Sequence, residues 1–135
     1  MLKKLEHVGI AVADLDEAVK MYRTALEMEP DEIVDVPERG MRIAFFTLGG
    51  VQLELLGSTR EDSNIANFLE KRGPGLHHLA FAVADVAAAL RRLKEKGVRL
   101  VDDQPKRGGR GNRIAFLHPQ AMGGVLVELC EELGE

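Results

Sequence analysis

Four side chains in this sequence could do chemistry together: His7, Glu54, His78 and Glu128. Imidazole nitrogen and carboxylate oxygen are the donors that hold first-row divalent ions. Two neutral imidazoles with two carboxylates form a mixed N/O set that suits Co2+, Mn2+, Ni2+ or Zn2+ and leaves two positions open in an octahedral shell. Taken singly, none of them signals a metal. A lone histidine on a strand is more often a packed core or rim residue, and a lone glutamate usually faces solvent. What singles these four out is that they recur.

The chain repeats itself. At a shift of 71 residues, His7-Val-Gly-Ile-Ala-Val-Ala-Asp14 lies over His78-Leu-Ala-Phe-Ala-Val-Ala-Asp85. The same shift lays Arg39-Gly-Met-Arg-Ile-Ala-Phe45 over Arg110-Gly-Asn-Arg-Ile-Ala-Phe116, with six of seven positions identical. The second copy then carries three extra residues, after which Gly49-Gly-Val-Gln-Leu-Glu-Leu55 matches Gly123-Gly-Val-Leu-Val-Glu-Leu129. Three blocks in one order mean internal duplication, and the duplication keeps the histidine and the glutamate while many neighbours change.

Each copy reads as β-α-β-β-β. Leu5–Val12 alternates and is rich in β-formers. Asp14 followed by Glu17 is a capping-box start, and Leu15, Ala18, Val19, Tyr22 and Leu26 form one helical stripe that runs on to Pro30. A weak strand at 33–36, a turn at 37–40, a strand at 42–48, a Gly49-Gly50 hairpin turn and a strand at 51–56 follow. In the second copy the helix spans 86–96 with Gly97 at its C-cap, and strands are expected at 99–101, 112–117 and 125–130. A short helix at 64–71, capped by Ser63, joins the copies. The reading is a single α+β domain of two tandem βαβββ modules, about 1–57 and 76–135 with a linker at 58–75. It forms a curved, partly closed eight-stranded mixed sheet with helices on the outer face.

Alternation along strands sorts the side chains. Val8, Ile10 and Val12 share the bulky face of the first strand, and His7, Gly9 and Ala11 share the other. Leu79, Phe81 and Val83 oppose His78, Ala80 and Ala82 in the second copy. The small residues on the histidine face predict room for a cavity. On the last strands Glu54 and Glu128 also oppose the bulky face, so modules paired about a pseudo-twofold axis would bring all four groups together. Without a cation, four such inward groups would be a costly buried cluster.

The other reactive side chains read differently. His77 faces away from His78 as a structural or rim residue, His118 before Pro119 is a solvated loop residue, and Cys130 is a small core residue. One cysteine excludes an internal disulfide framework and a Cys-rich zinc site. The segment Lys106-Arg-Gly-Gly-Arg-Gly-Asn-Arg113 is either a flexible solvated loop or a rim that attracts phosphates through Lys106, Arg107, Arg110 and Arg113. It lacks the ending of a P-loop.

Composition closes off other classes. The 135 residues are 45% hydrophobic and 30% charged, which supports one packed domain and argues against disorder. A net charge of −4, no tryptophan and one tyrosine argue against a nucleic-acid binder. No apolar run approaches the ~20 residues of a membrane helix. The first residues lack a signal-peptide h-region, so a cytoplasmic protein without membrane partners is expected.

Paired modules with His and Glu in these places resemble the vicinal-oxygen-chelate (glyoxalase/bleomycin-resistance) superfamily, and within it the methylmalonyl-CoA epimerase family. The likeness spans nearly the whole chain. It is carried most specifically by Gly73-Pro-Gly-Leu-His-His-Leu-Ala-Phe81, Gly111-Asn-Arg-Ile-Ala-Phe-Leu-His-Pro119 and Gly123-Gly-Val-Leu-Val-Glu-Leu129. The resemblance implies metal ligands at His7, Glu54, His78 and Glu128, a divalent ion such as Co2+, a CoA thioester substrate and a homodimer. It also implies a proton-transfer role for Glu128. Some relatives have glutamine at the position of Glu54. A second catalytic glutamate of the family falls on apolar Ile43 here, which leaves Glu38 in the preceding turn as the substitute.

The implied reaction is inversion at C2 of methylmalonyl-CoA through a metal-stabilised enolate, with acid/base groups on opposite faces of the carbon. A glyoxalase I-type lyase would use the same ligands on a glutathione hemithioacetal. A metal-free drug-binding relative would need none of them. An extradiol dioxygenase would keep only one carboxylate on its metal.

Overall fold

The computed structural model describes residues 1–132 of the chain. Its strands are β1 (Leu2–Ala11), β2 (Glu32–Val36), β3 (Met41–Leu48), β4 (Val51–Ser58), β5 (Gly75–Val83), β6 (Lys106–Arg107), β7 (Arg113–Leu117) and β8 (Val127–Cys130). Its helices are α1 (Leu15–Leu26), α2 (Asn64–Arg72) and α3 (Val86–Glu95). The strands hydrogen-bond in the order β2-β3-β4-β1-β5-β8-β7-β6. β5 runs parallel to β8, whereas β2–β3, β3–β4, β6–β7 and β7–β8 are antiparallel, so the sheet is mixed. This is the expected α+β class with the expected element order.

The described residues divide into two compact units, residues 8–77 and residues 1–7 with 78–132. In the first, the bulky faces of β1, β3 and β4 (Ile10, Val12, Ala44, Phe46, Leu53, Leu55) close on Leu15, Ala18, Val19 and Tyr22 of α1. In the second, Phe81, Val83, Ala115, Leu117, Val127 and Leu129 close on Val86, Ala89, Leu90 and Leu93 of α3. Both helices start alike: Asp14 accepts from the Glu17 amide and Asp85 from the Ala88 amide, each at 3.1 Å. Such caps are worth about 1 kcal/mol each.

The repeat is visible in the ladder registers. Phe45 stands opposite Glu54 and Ala44 opposite Leu55 on β3–β4; Phe116 stands opposite Glu128 and Ala115 opposite Leu129 on β7–β8. Each glutamate therefore has the same cross-strand phenylalanine, and each is flanked by the same outward-alternating leucine.

Several local expectations need correction. Helix α1 stops at Leu26, short of Pro30, because Glu27 turns left-handed (φ 55°) and gives its amide to the Arg23 carbonyl. Leu26, placed on the buried stripe, is 60% exposed as a result. The second strand of the second copy is not at 99–101, where only Leu100 bridges to Leu117. Asp102 accepts from the Phe116 amide at 2.8 Å and so replaces a ladder partner, and the strand forms later, as β6. The last strand begins at Val127 because Gly123 (φ 67°) and Gly124 (φ 99°) spend two residues in left-handed backbone after a 3-10 turn at Pro119–Met122. The joining helix α2 and its Ser63 cap are where expected, with Ser63 Oγ accepting from the Ala66 amide at 2.9 Å.

At two of the small residues on the histidine faces the space is taken up by protein. Ala11 packs with Ile65 of α2 together with Val36, Ile43, Phe45 and Leu56. Ala80 packs with Ile114, Cys130 and Phe116.

His77 packs edge-on against Phe68 of α2, ring centroids 4.8 Å apart. Burial pulls its pKa down from 6.5 to about 4. A histidine with the lower pKa in the folded chain takes up its proton later than the unfolded chain does, so stability is full above pH 6.5 and falls as pH drops toward 4. Replacing His77 with Phe is expected to flatten that loss. Urea unfolding of the metal-free protein at pH 7.5 and pH 5 should show a smaller difference in the variant than in the parent chain.

Candidate metal centre

Strand alternation alone would leave His7, His78 and Glu128 as three separate inward residues. The ladder does more, because β5 and β8 pair in parallel with Ala80 opposite Glu128. That register sets the glutamate diagonally beside His78, two residues before Ala80. Residues two apart share a face and lie within reach of long side chains.

The resulting geometry is tight. The Nε2 atoms of His7 and His78 are 3.1 Å apart. Glu128 spreads its carboxylate between them, Oε2 at 3.5 Å from His7 Nε2 and Oε1 at 3.4 Å from His78 Nε2. All three side chains are buried, with 4–6% of each residue exposed. The imidazole rings meet edge to face at 5.1 Å, and Phe116 seals the far side of His78 edge-on at 5.7 Å.

The outer edge of His7 is also held. Its Nδ1 is hydrogen-bonded to Oε1 of Glu6. That bond holds the Glu6 carboxyl below its ordinary range, against the opposing effect of burial, and the charges of Lys4 and Arg110 act in the same direction as the bond. A carboxylate accepts only, so Nδ1 of His7 is the donor in that bond, and in the neutral ring Nε2 then offers a lone pair.

Those donors fit a divalent ion. Donors each about 2.1 Å from one ion stand roughly 3.0 Å apart at a right angle and roughly 3.4 Å apart at the tetrahedral angle. The 3.1 Å between the two Nε2 atoms lies in that range, and the 3.4 and 3.5 Å contacts reach the two different oxygens of Glu128. A divalent ion could take both imidazole nitrogens together with a carboxylate oxygen of Glu128. Ion identity does not follow, since a nitrogen and oxygen set accepts several first-row metals.

The remaining candidates fall as follows. Glu54 is buried on β4, 7% exposed, in the unit of residues 8–77. Glu38 is exposed in the 3-10 turn Pro37–Arg39, and Ile43 is 3% exposed in the α2 core cluster. The basic segment is a hairpin and not a loose loop: Lys106 and Arg107 form β6, and Arg107 stands directly opposite Arg113 on β7. Gly108 is required at its turn, because a Cβ there would lie 2.5 Å from Asn112 Oδ1. Lys106 pairs with Asp102 at 3.2 Å and lies 4.9 Å from the Phe116 ring centroid. His118 caps the following 3-10 turn, its Nδ1 accepting from the Gln120 amide at 3.1 Å. Cys130 is fully buried with its thiol on the Phe81 carbonyl at 3.6 Å.

Sequence reasoning missed Glu6 and Phe116. Glu6 adjoins His7 and alternation sends its side chain to the other face, but the Nδ1 atom lies close to the backbone and is within a neighbour's reach. Phe116 had a signal, since the repeat pairs it with Phe45 next to Glu54.

A family model described as the glyoxalase/bleomycin resistance protein/dioxygenase superfamily matches residues 6–116. The chain is 42% identical over 129 residues to the mitochondrial methylmalonyl-CoA epimerase of Mus musculus, covering 95% of this chain and 72% of that protein. It is 44% identical over 131 residues to the ethylmalonyl-CoA/methylmalonyl-CoA epimerase of Cereibacter sphaeroides, covering 96% and 98%. A solved methylmalonyl-CoA epimerase in complex with methylmalonyl-CoA and NH4+ superposes with a TM-score of 0.94 at 41% identity, covering 99% of this chain and 97% of that one.

The site geometry predicts that the metal-free chain takes up one Co2+ and that His78→Ala takes up none at micromolar concentrations. Equilibrium dialysis with elemental analysis measures both.

Proposed function

Because the chain belongs to the glyoxalase/bleomycin resistance protein/dioxygenase superfamily, we propose that it is a metal-dependent epimerase that interconverts the R and S forms of methylmalonyl-CoA at C2. The observation that carries this reading is near-full-length likeness, at 41–44% identity, to proteins named for that activity. The local chemistry supports it, because His7, His78 and Glu128 supply a cation-holding donor set.

In this reading Glu54 is the fourth ligand. Its support is the repeat: Glu54 and Glu128 occupy the same ladder position opposite Phe45 and Phe116. Co2+ is the proposed ion, with Mn2+, Ni2+ or Zn2+ as other occupants. When bound, it supplies Lewis acidity toward the carbonyl oxygens of the substrate.

The chain's own residues do the rest. His7 and His78 would hold the ion through Nε2. Glu128 takes the C2 proton on a carboxylate oxygen from one face, and in the reverse direction delivers a proton to that face. A carboxylate shared with a dication is a weaker base than a free one, so Glu128 would act through an oxygen that does not bind the ion. Inversion needs a proton donor on the opposite face of C2. Ile43 cannot supply it, and Glu38 is proposed for that role.

The basic hairpin is proposed to receive the CoA phosphates. Arg107 and Arg113 face each other in register, and like charges directly opposite destabilise a β-ladder. A bound phosphate would reverse the sign of that interaction.

Deuterium uptake from D2O at C2 of methylmalonyl-CoA, followed with and without Co2+, tests the function. Metal-dependent exchange is expected, and Glu128→Gln is expected to lower kcat by roughly 10²- to 10⁴-fold. Turnover of the glutathione hemithioacetal without C2 exchange would overturn the reading in favour of a lyase. Arg107→Ala and Arg113→Ala are expected to raise KM for methylmalonyl-CoA several-fold while kcat holds, and steady-state kinetics separates the two constants.

A further inference from the structure

We propose that Glu6 is a positioning residue for His7: its carboxylate fixes the proton on Nδ1 and so presents Nε2 to the ion. The inference rests on the metal reading above and adds a residue to it. The bond between Glu6 Oε1 and His7 Nδ1 is the starting observation. An acceptor at Nδ1 decides the tautomer of a neutral imidazole, and it also stops the ring from flipping. The consequence is visible on the other edge, where His7 Nε2 lies 3.1 Å from His78 Nε2 and 3.5 Å from Glu128 Oε2.

The Glu6 side chain is 21% exposed, so changing it does not open a core cavity. Its carboxylate also feels the charges of Lys4 and Arg110, an interaction that Glu6→Gln and Glu6→Leu remove alike, so the difference between the two variants reports on the bond to the ring.

Two measurements on the same variants test the role. In metal-free protein labelled with 15N-histidine, His7 is expected as the Nδ1–H tautomer, and Glu6→Leu is expected to move it toward Nε2–H. Co2+ affinity by chelator competition is expected to fall about 10- to 100-fold in Glu6→Leu. Glu6→Gln keeps an oxygen that accepts from Nδ1, so it should keep the tautomer and lose less affinity than Glu6→Leu. An Nε2–H tautomer for His7 in the wild-type chain would overturn the proposal, as would Co2+ affinity in a folded Glu6→Leu within about threefold of wild type. Absence of Co2+ uptake by the wild-type chain would overturn the metal reading itself. Uptake that is indifferent to Glu6→Leu would overturn only the role of Glu6.

Discussion

Two imidazole nitrogens and a carboxylate, all shut away from water, are forced to within 3.5 Å of one another, and the surrounding sheet is arranged to keep them there. Buried polar groups cost several kcal/mol when their partners are missing, so a fold holds such a cluster only if something satisfies it. In the chain itself the cluster is held by mutual contacts: His7 bonds Glu6 through Nδ1 and His78 through Nε2, and Glu128 lies against both rings. The same nitrogen and oxygen donors could hold a divalent cation.

The sheet meets this demand through register. A slip of one residue in β8 would turn Glu128 to the helix side and bring Val127 or Leu129 inward, because side chains alternate strictly along a strand. Register is pinned by the apolar face: Val127 and Leu129 pack with Leu90, Leu93 and Val86 of α3, so moving the glutamate would also expose that core. Packing energy on one face thus enforces polar geometry on the other. The same logic operates in β4, where Leu53 and Leu55 pack with α1 and flank Glu54.

This coupling is why the face and register of both glutamates were legible in the sequence. Duplication keeps both the apolar alternation and the glutamate it frames, and the observed ladders repeat the Phe–Glu pairing in each copy. Features set by single side chains were not legible. The end of α1 depends on one left-handed residue, Glu27, that no glycine announces. The late start of β6 depends on the Asp102 carboxylate replacing a backbone acceptor for the Phe116 amide. The cavity expected beside Ala11 disappears because α2, outside the repeat, brings Ile65 onto it. Periodicity records which face a residue takes, but not what a non-repeated segment later lays over that face.

The two copies keep their buried apolar positions in step, with Ile43 on β3 3% exposed and its counterpart Ile114 on β7 2% exposed. They differ in what leads into those matched strands, a 3-10 turn at Pro37–Arg39 in one copy and the hairpin from Lys106–Arg107 in the other. The three added residues, 3-10 turn and paired glycines before β8 set the start of that strand independently of β4. The duplication thus holds the glutamate and its cross-strand phenylalanine constant and varies the turns and loops that lead into their strands.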